Sequence, residues 1–597
     1  MPIATDAWVQ ITAATTPVFS KDGKTLFHLR GAGLPQVWAM DLDGGNARQL
    51  SQHDEKIGIL RRAPNDDRLL WSIDAGGDEL HQFWLLEPGG TPRPLTDAHQ
   101  VMHDFGGFSP DGTRIAYAAN DRDPKYFDAV VMDLATGATT RLHHGPCVIS
   151  VAGWSPDGTR LAIIEDHAGI DQYLVILNVG TGAATEVPRS RPTRYSAIRW
   201  TPDGQLTGLT DAPDSDFFRL CRIDPATGMV TPVFAPLFRD VEAWSLAPDG
   251  QQLATIENDR GFATLRIGAL GSNRPAVTGL PPGIVAELAW LPDSAGLACT
   301  AQSPTQPASL YVVRNGSATP LDLPDPLAGS FISGEILTAP HLVEWVSFDG
   351  TRIPAFYATP RTPPPAAGYP AIMWIHGGPS SQTRANFRAD TQMLLDQGFA
   401  VLLPNMRGST GYGRAYMESD EEHLREHYIE DMATGRDWLA AQPEIDASRI
   451  GVMGQSYGGW AVLAAVALQP DLWRAAVNYY GISDFTTFYA NTSAYRRDHR
   501  AREYGFPDTH NDLFDRISPI RHVDRVTTPL LVLHGDRDPR VPMAESDAMV
   551  AALEARQKMV RYERFTYAGH GFIRPDHRRR VYALVAEHFH SHLTGAA

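Results

Sequence analysis

Seven short segments of one kind recur through the first half of this chain: "FSKDGKTL", "RAPNDDRL", "FSPDGTRI", "WSPDGTRL", "WTPDGQLT", "LAPDGQQL" and "WLPDSAGL". Their turn residues, Asp22, Asn65 or Asp66, Asp111, Asp157, Asp203, Asp249 and Asp293, stand 44 to 46 residues apart when Asp66 is taken in the second. Such a period constrains the fold more than composition does, because one repeat cannot bury a core alone and must stack on its neighbours. Proline presets φ at the first central turn position and Asp-Gly suits the remaining turn positions, so each segment reads as a tight turn feeding an apolar strand. Second turns run out of phase with these, among them "VWAMDLDGGNARQL", "VVMDLATGATTRL" and "VILNVGTGAATEV", each a strand, a Gly-containing turn and a strand. Two turns per repeat imply about four strands per unit, the period of a propeller blade, and seven repeats imply seven blades. Calcium loops are the functional alternative for such turns, but "DLDGGN" departs from the calcium-loop pattern after its first four positions.

The rhythm changes after about residue 335. A last hairpin, "HLVEWVSFDGTRIPAFYATP", and a Pro-rich connection, "RTPPPAAGYP", precede short apolar strands that alternate with helices. That alternation predicts a mostly parallel, doubly wound α/β sheet. At least two domains are expected on length alone for 597 residues.

Charge and cysteine content narrow the function classes. With 69 acidic against 52 basic side chains, the net charge is -17, which argues against nucleic acid or an anionic membrane as the main partner. Three scattered cysteines, Cys147, Cys221 and Cys299, support neither a disulfide framework nor a zinc site. The start, "MPIATDAWVQ", carries no basic region followed by an apolar core, and no apolar run approaches the roughly 18 residues of a membrane span. The expectation is a soluble cytoplasmic protein without metal or cofactor; homo-oligomerisation stays open.

The chemistry enters at "RIGVMGQSYGGWAVLAAVAL", residues 449–468. Ser456 sits between glycines where a buried strand gives way to an Ala-rich helix, the context in which Gly-x-Ser-x-Gly means a nucleophile elbow. Gly454 and Gly458 let strand and helix approach, and the helix N-terminus offers free N–H groups to a developing negative charge. The pattern is weak alone. "LLVLHGDRDPRVP" adds Asp536 and Asp538 after a buried strand, and "TYAGHGF" adds His570 after the next. Ser, Asp, His, each at a strand's C-terminal end, is the order of an α/β-hydrolase.

With these motifs the chain resembles the prolyl oligopeptidase family of serine peptidases over nearly its full length. The resemblance rests on "HGGP" at 376–379, "PNMRGSTGYGR" at 404–414, "GQSYGGW" at 454–460, "HGDRDPRVP" at 534–542 and "GHGF" at 569–572. "HGGP" with "RGSTGYG" is most similar to the acylaminoacyl-peptidase and related exopeptidase branch. It implies a seven-bladed β-propeller over 1–335, with a short N-terminal lead, and an α/β-hydrolase catalytic domain over 336–597. It implies Ser456 as nucleophile, His570 as base and Asp538 as the acid, three residues before Val541-Pro542, with Asp536 bracing the turn. The oxyanion donors are the backbone N–H of Tyr457 and one from "HGGP", Gly378 ahead of Gly377. Arg407 reads first as a brace of its loop, and with Tyr479 also stands as a candidate substrate contact. The aromatic stretch 479–507 is the expected pocket lining. The implied activity is hydrolysis near the N-terminus of short peptides, releasing an acylated residue, a free residue or a dipeptide. A small-molecule esterase or amidase with the same triad is the alternative enzyme, and an inactive propeller binding protein the alternative class.

Overall fold

The computed structural model describes residues 2–235, 237–330 and 332–595. Seven antiparallel sheets follow one another from Ala13 to Pro320, six of four strands and one of three. The three-stranded sheet is extended by a bridge between Arg266 and Ala276. In the repeated turns the aspartate closes its own loop: Asp111 Oδ1 accepts from Ser109 Oγ (2.5 Å) and from Thr113 N (3.0 Å). These bonds, the Ser109 one first, hold the Asp111 carboxyl down at about 2. Asp157 is bound alike by Ser155 Oγ (2.6 Å) and Thr159 N (3.0 Å). Each blade is contiguous in sequence, so no strand is shared between the first and last. Side chains close the ring instead: Thr16 donates from N (2.6 Å) and Oγ1 (2.7 Å) to Glu287.

The second half builds one eight-stranded sheet from β1 (His341–Val346), β2 (Arg352–Ala358), β3 (Tyr369–Ile375), β4 (Ala400–Pro404), β5 (Ile445–Gln455), β6 (Ala476–Tyr479), β7 (Leu530–Gly535) and β8 (Val560–Phe565). Its order is β1-β2-β4-β3-β5-β6-β7-β8. The β1–β2 and β2–β4 pairs are antiparallel and every later pair is parallel. Strands β3, β4 and β7 are buried at every position, as a parallel sheet covered on both faces requires. Helices α1 (Ala389–Asp396), α2 (Arg425–Ala440), α3 (Tyr457–Leu468), α4 (Ala494–Tyr504), α5 (Met543–Glu554) and α6 (Pro575–Phe589) complete the layers that matter for the site. One face carries α2, α3 and α5, the other α1 and α6.

The lead segment, grouped with the propeller in sequence, docks on the hydrolase. Its turn Thr5–Val9 buries Trp8 and Val9 in the same cluster as α1 and α6, and Ile3 N donates to Asp396 Oδ2 (2.6 Å). The propeller lies across the C-terminal edge of the sheet, where open α/β folds place their ligands. Arg384 Nη1 reaches both oxygens of Glu242 (2.7 Å), Arg414 pairs with Asp211 (3.1 Å), and Gly569 N donates to the Gly76 carbonyl (2.7 Å).

Candidate active site

Ser456 occupies the one-residue gap between β5 and α3, with φ 58° and ψ −120°. A side-chain-bearing residue is strained there and persists only where its surroundings insist. They do: Ser456 N donates to Tyr479 O (3.0 Å) and Trp460 N to Ser456 O (3.0 Å). A Cβ on Gly454 would stand 2.3 Å from the Gly458 carbonyl oxygen, and one on Gly458 2.4 Å from that of Ile375. Both glycines are thus demanded by backbone approach. Behind them α3 is buried from Tyr457 to Ala467, which anchors the elbow.

His570 Nδ1 lies 2.6 Å from Asp538 Oδ2. A hydrogen bond to a carboxylate there puts the proton on Nδ1 and leaves Nε2 with its lone pair. The Asp538 side chain is fully buried, its other oxygen accepting from Arg540 N (2.8 Å) and Val541 N (3.0 Å). Burial opposes its ionisation, but His570 and His534 hold its carboxyl well below the usual carboxylate range. Asp536 accepts at 3.4 Å from Ala568 N and so ties its turn to the loop that carries His570.

The predicted oxyanion donors flank Ser456. Tyr457 is the first residue of α3, where an N–H has no intrahelical acceptor. Gly377 is packed against the nucleophile, since a Cβ on it would stand 3.1 Å from Ser456 Cβ. Gly378 adopts φ +141° and its carbonyl accepts from Tyr504 Oη (3.2 Å). His376 is buried, its ring nitrogens against Gly377 O (2.7 Å) and Ser409 Oγ (3.1 Å), and burial pushes it down to about 4.

Ser456 and His570 face one cavity of about 680 Å³, walled also by Gly377, Gly378, Tyr479 and Tyr480. A smaller space of about 60 Å³ also opens at Ser456, lined by Ile482, Phe488, Tyr504 and Val541 and by Arg496, Arg500 and Arg540, the last two shared with the larger cavity. Tyr479 is therefore at the cavity wall. Arg407 is not. It is 3% exposed at the side chain, its Nε and Nη2 each 2.7 Å from Asp431 and its Nη1 3.0 Å from Asp349. As a candidate substrate contact it is corrected: its donors are spent on bracing the loop. Of the stretch 479–507, Phe485 and Tyr489 pack into the hydrolase core, while Phe488 and Tyr504 reach the smaller space.

Several residues at the site escaped the sequence. His534, inside "HGDRDPRVP", faces the Val541 carbonyl with Nε2 (2.9 Å) and Ser546 Oγ with Nδ1 (2.7 Å), 3.5 Å from Asp538. Tyr480 sets its ring 4.5 Å from that of His570. From the propeller, Glu79 pairs with Arg540 (2.5 Å), and Glu55 accepts from Tyr567 Oη (2.5 Å). No local signal could have found Glu55 or Glu79, because their partners lie more than 400 residues downstream.

The prolyl oligopeptidase family model matches residues 385–596. Dipeptidyl aminopeptidase BIII of Pseudoxanthomonas mexicana is 26% identical over 604 residues, covering 98% of this chain and 87% of that protein. The human acylamino-acid-releasing enzyme is 30% identical over 245 residues, 39% of this chain and 33% of that one. A puromycin-hydrolyzing peptidase of Mycobacterium tuberculosis superposes with a TM-score of 0.86 over 99% of this chain and 96% of its own, at 21% identity, a likeness of fold. Residues 385–596 thus form a prolyl oligopeptidase family domain, and the similarity to the dipeptidyl aminopeptidase runs through both halves of the chain.

Proposed function

We propose that the chain is a serine exopeptidase of short peptides in which Ser456 forms an acyl-enzyme. His570 takes the serine proton through Nε2 and returns it to the leaving amine. Asp538 holds the imidazole in the tautomer that allows this and stabilises the imidazolium. The N–H groups of Tyr457 and Gly378 receive the oxyanion. Water then deacylates the enzyme by the same proton path. The observation that carries the reading is the 2.6 Å contact of His570 Nδ1 with Asp538 in a cavity that Ser456 also lines.

The names of the relatives favour release of an acylated residue or a dipeptide from the N-terminus. The smaller space pairs the apolar wall of Ile482, Phe488, Tyr504 and Val541 with Arg496, Arg500 and Arg540, which suits a small acyl-side group that carries both an apolar part and a hydrogen-bond acceptor. A serine-directed phosphonate should label Ser456, and Ser456→Ala should abolish turnover of acetyl-aminoacyl, free aminoacyl and dipeptidyl amides. Loss of a triad nucleophile costs on the order of a millionfold in kcat. Near wild-type turnover by that variant refutes the assignment, and hydrolysis of a simple ester with every amide untouched favours the esterase.

A further inference from the structure

The two spaces around Ser456 divide the substrate between them. The smaller one lacks His570, so it takes the acyl side. The larger one contains His570, the group that must protonate the leaving amine, so the leaving fragment extends into it. Five arginines line that larger space: Arg384, Arg388, Arg500, Arg540 and Arg578. Four have carboxylate partners: Glu242 (2.7 Å), Asp390 (3.0 Å), Glu503 (2.5 Å) and Glu79 (2.5 Å), in the same order. Among the described residues Arg578 has no carboxylate within ion-pair distance. Its side-chain hydrogen bond among them runs from Nη2 to Tyr582 Oη (3.2 Å).

Arg578 and Arg388 share one end of the cavity. Burial raises the Tyr582 phenol above its ordinary value, and Arg578, Asp390 and Arg388 all bear on it. Arg388 stacks at 3.9 Å on Trp374, which holds its guanidinium plane in place. The propeller covers this end, for a Cβ on Gly33 would stand 3.7 Å from Arg578 Nη1. An uncompensated guanidinium in a recessed, partly dehydrated pocket favours an anion, and its fork fits a carboxylate.

We propose that the Arg578–Arg388 end binds the free α-carboxylate of the leaving fragment, so that the enzyme measures its substrates from the C-terminus as well as from the acyl side. This rests on the serine-peptidase reading above. Ring contacts lead from His570 to Tyr480 and on to Tyr479, and Tyr479, Tyr480 and Tyr582 share one cluster and wall the same cavity. At roughly 3.5 Å per extended residue, a leaving fragment of one to three residues spans such a path. A longer fragment puts a neutral peptide bond where the charge should be. Short peptides are then chosen by chemistry as well as by size.

The test compares one N-acylated tetrapeptide as its free acid, as its C-terminal amide, and as an amide with Asp in the leaving position, with cleavage followed by mass spectrometry. The wild-type enzyme should prefer the free acid by about 10- to 100-fold in kcat/KM, the scale of a charge-assisted hydrogen bond. Arg578→Gln should bring that ratio toward one, and Arg578→Lys should restore part of it, because the charge returns without the fork. A wild-type ratio near one, or a ratio that Arg578→Gln leaves unchanged, overturns the proposal. An Asp-bearing amide cleaved as fast as the free acid overturns it in favour of an acidic side chain. Wild-type turnover of an acyl-aminoacyl p-nitroanilide, whose leaving group has no carboxylate, separates the two readings. If the anilide and all peptides stay intact, the hydrolase reading fails and takes this one with it. Should Arg578→Gln not fold, the wild-type ratio still decides.

Discussion

Replacing Gly569 by alanine should disable the enzyme through the propeller. Gly569 precedes His570, and its N–H donates to the Gly76 carbonyl of the second blade (2.7 Å). A Cβ on it would stand 1.8 Å from the Gly77 carbonyl oxygen and 2.3 Å from the Gly77 carbonyl carbon. Its φ lies outside the left-handed region, so the methyl group itself, not backbone conformation, is what the variant adds. Both obstructing atoms are backbone, and the Gly76–Gly77 loop is tied down by Gly76 N donating to Glu55 Oε2 (3.1 Å). Non-bonded carbon and oxygen settle at about 3.5 Å, so loop and propeller must separate by well over 1 Å. A displacement of that size at a catalytic group costs about 100-fold in rate, or about 2.7 kcal/mol of barrier. The fold should survive, because the clash lies between two loops and outside the hydrophobic cores of both domains. The assay is kcat on an acyl-aminoacyl p-nitroanilide, with the thermal midpoint as the control for folding. A kcat within twofold of wild type would show that the His570 loop yields freely and that the propeller contact does not set its position.

Arg407→Ala should lower stability by about 3–5 kcal/mol, the cost of stranding a buried carboxylate such as Asp431, with KM little changed; a large rise in KM at unchanged stability would return Arg407 to the substrate site. Stability should fall as pH drops from about 6.5 toward 4. Burial pushes His28, His376 and His588 down to about 4, whereas in the unfolded chain they titrate near about 6.5. The unfolded state thus binds more protons across that window, so acid favours unfolding. His376→Asn should flatten the slope of thermal midpoint against pH, and an unaltered slope contradicts its share. Because the propeller lies over the site, a short peptide should be cut while denatured casein is not; mass spectrometry of the two digests decides, and rapid internal cutting of casein defeats the cover while leaving Ser456 its role.

The blades and the elbow were legible because both are local. An aspartate-bearing turn repeated seven times, four times with both proline and Asp-Gly, closes its own hydrogen bonds, as at Asp111 and Asp157, and needs nothing distant to be recognised. Gly454 and Gly458 answer to backbone a few residues away or one strand over. The order of Ser456, Asp538 and His570 along alternating strands and helices pointed to one sheet edge for all three, and His570 meets Asp538 there. Arg407 shows the first limit. Its motif marked it, but only the positions of Asp349 and Asp431 decided that its charge faces inward. The lead segment shows another, since Trp8 and Val9 find their core beside helices nearly 400 residues and more away. Tertiary structure alone decided which propeller loops press on the His570 loop and that Arg578 is left without a carboxylate among the described residues. Such pairings join residues such as Glu55 and Tyr567, 512 positions apart. Local patterning carries information over one turn or one strand, whereas these contacts exist only once two independently built domains have docked.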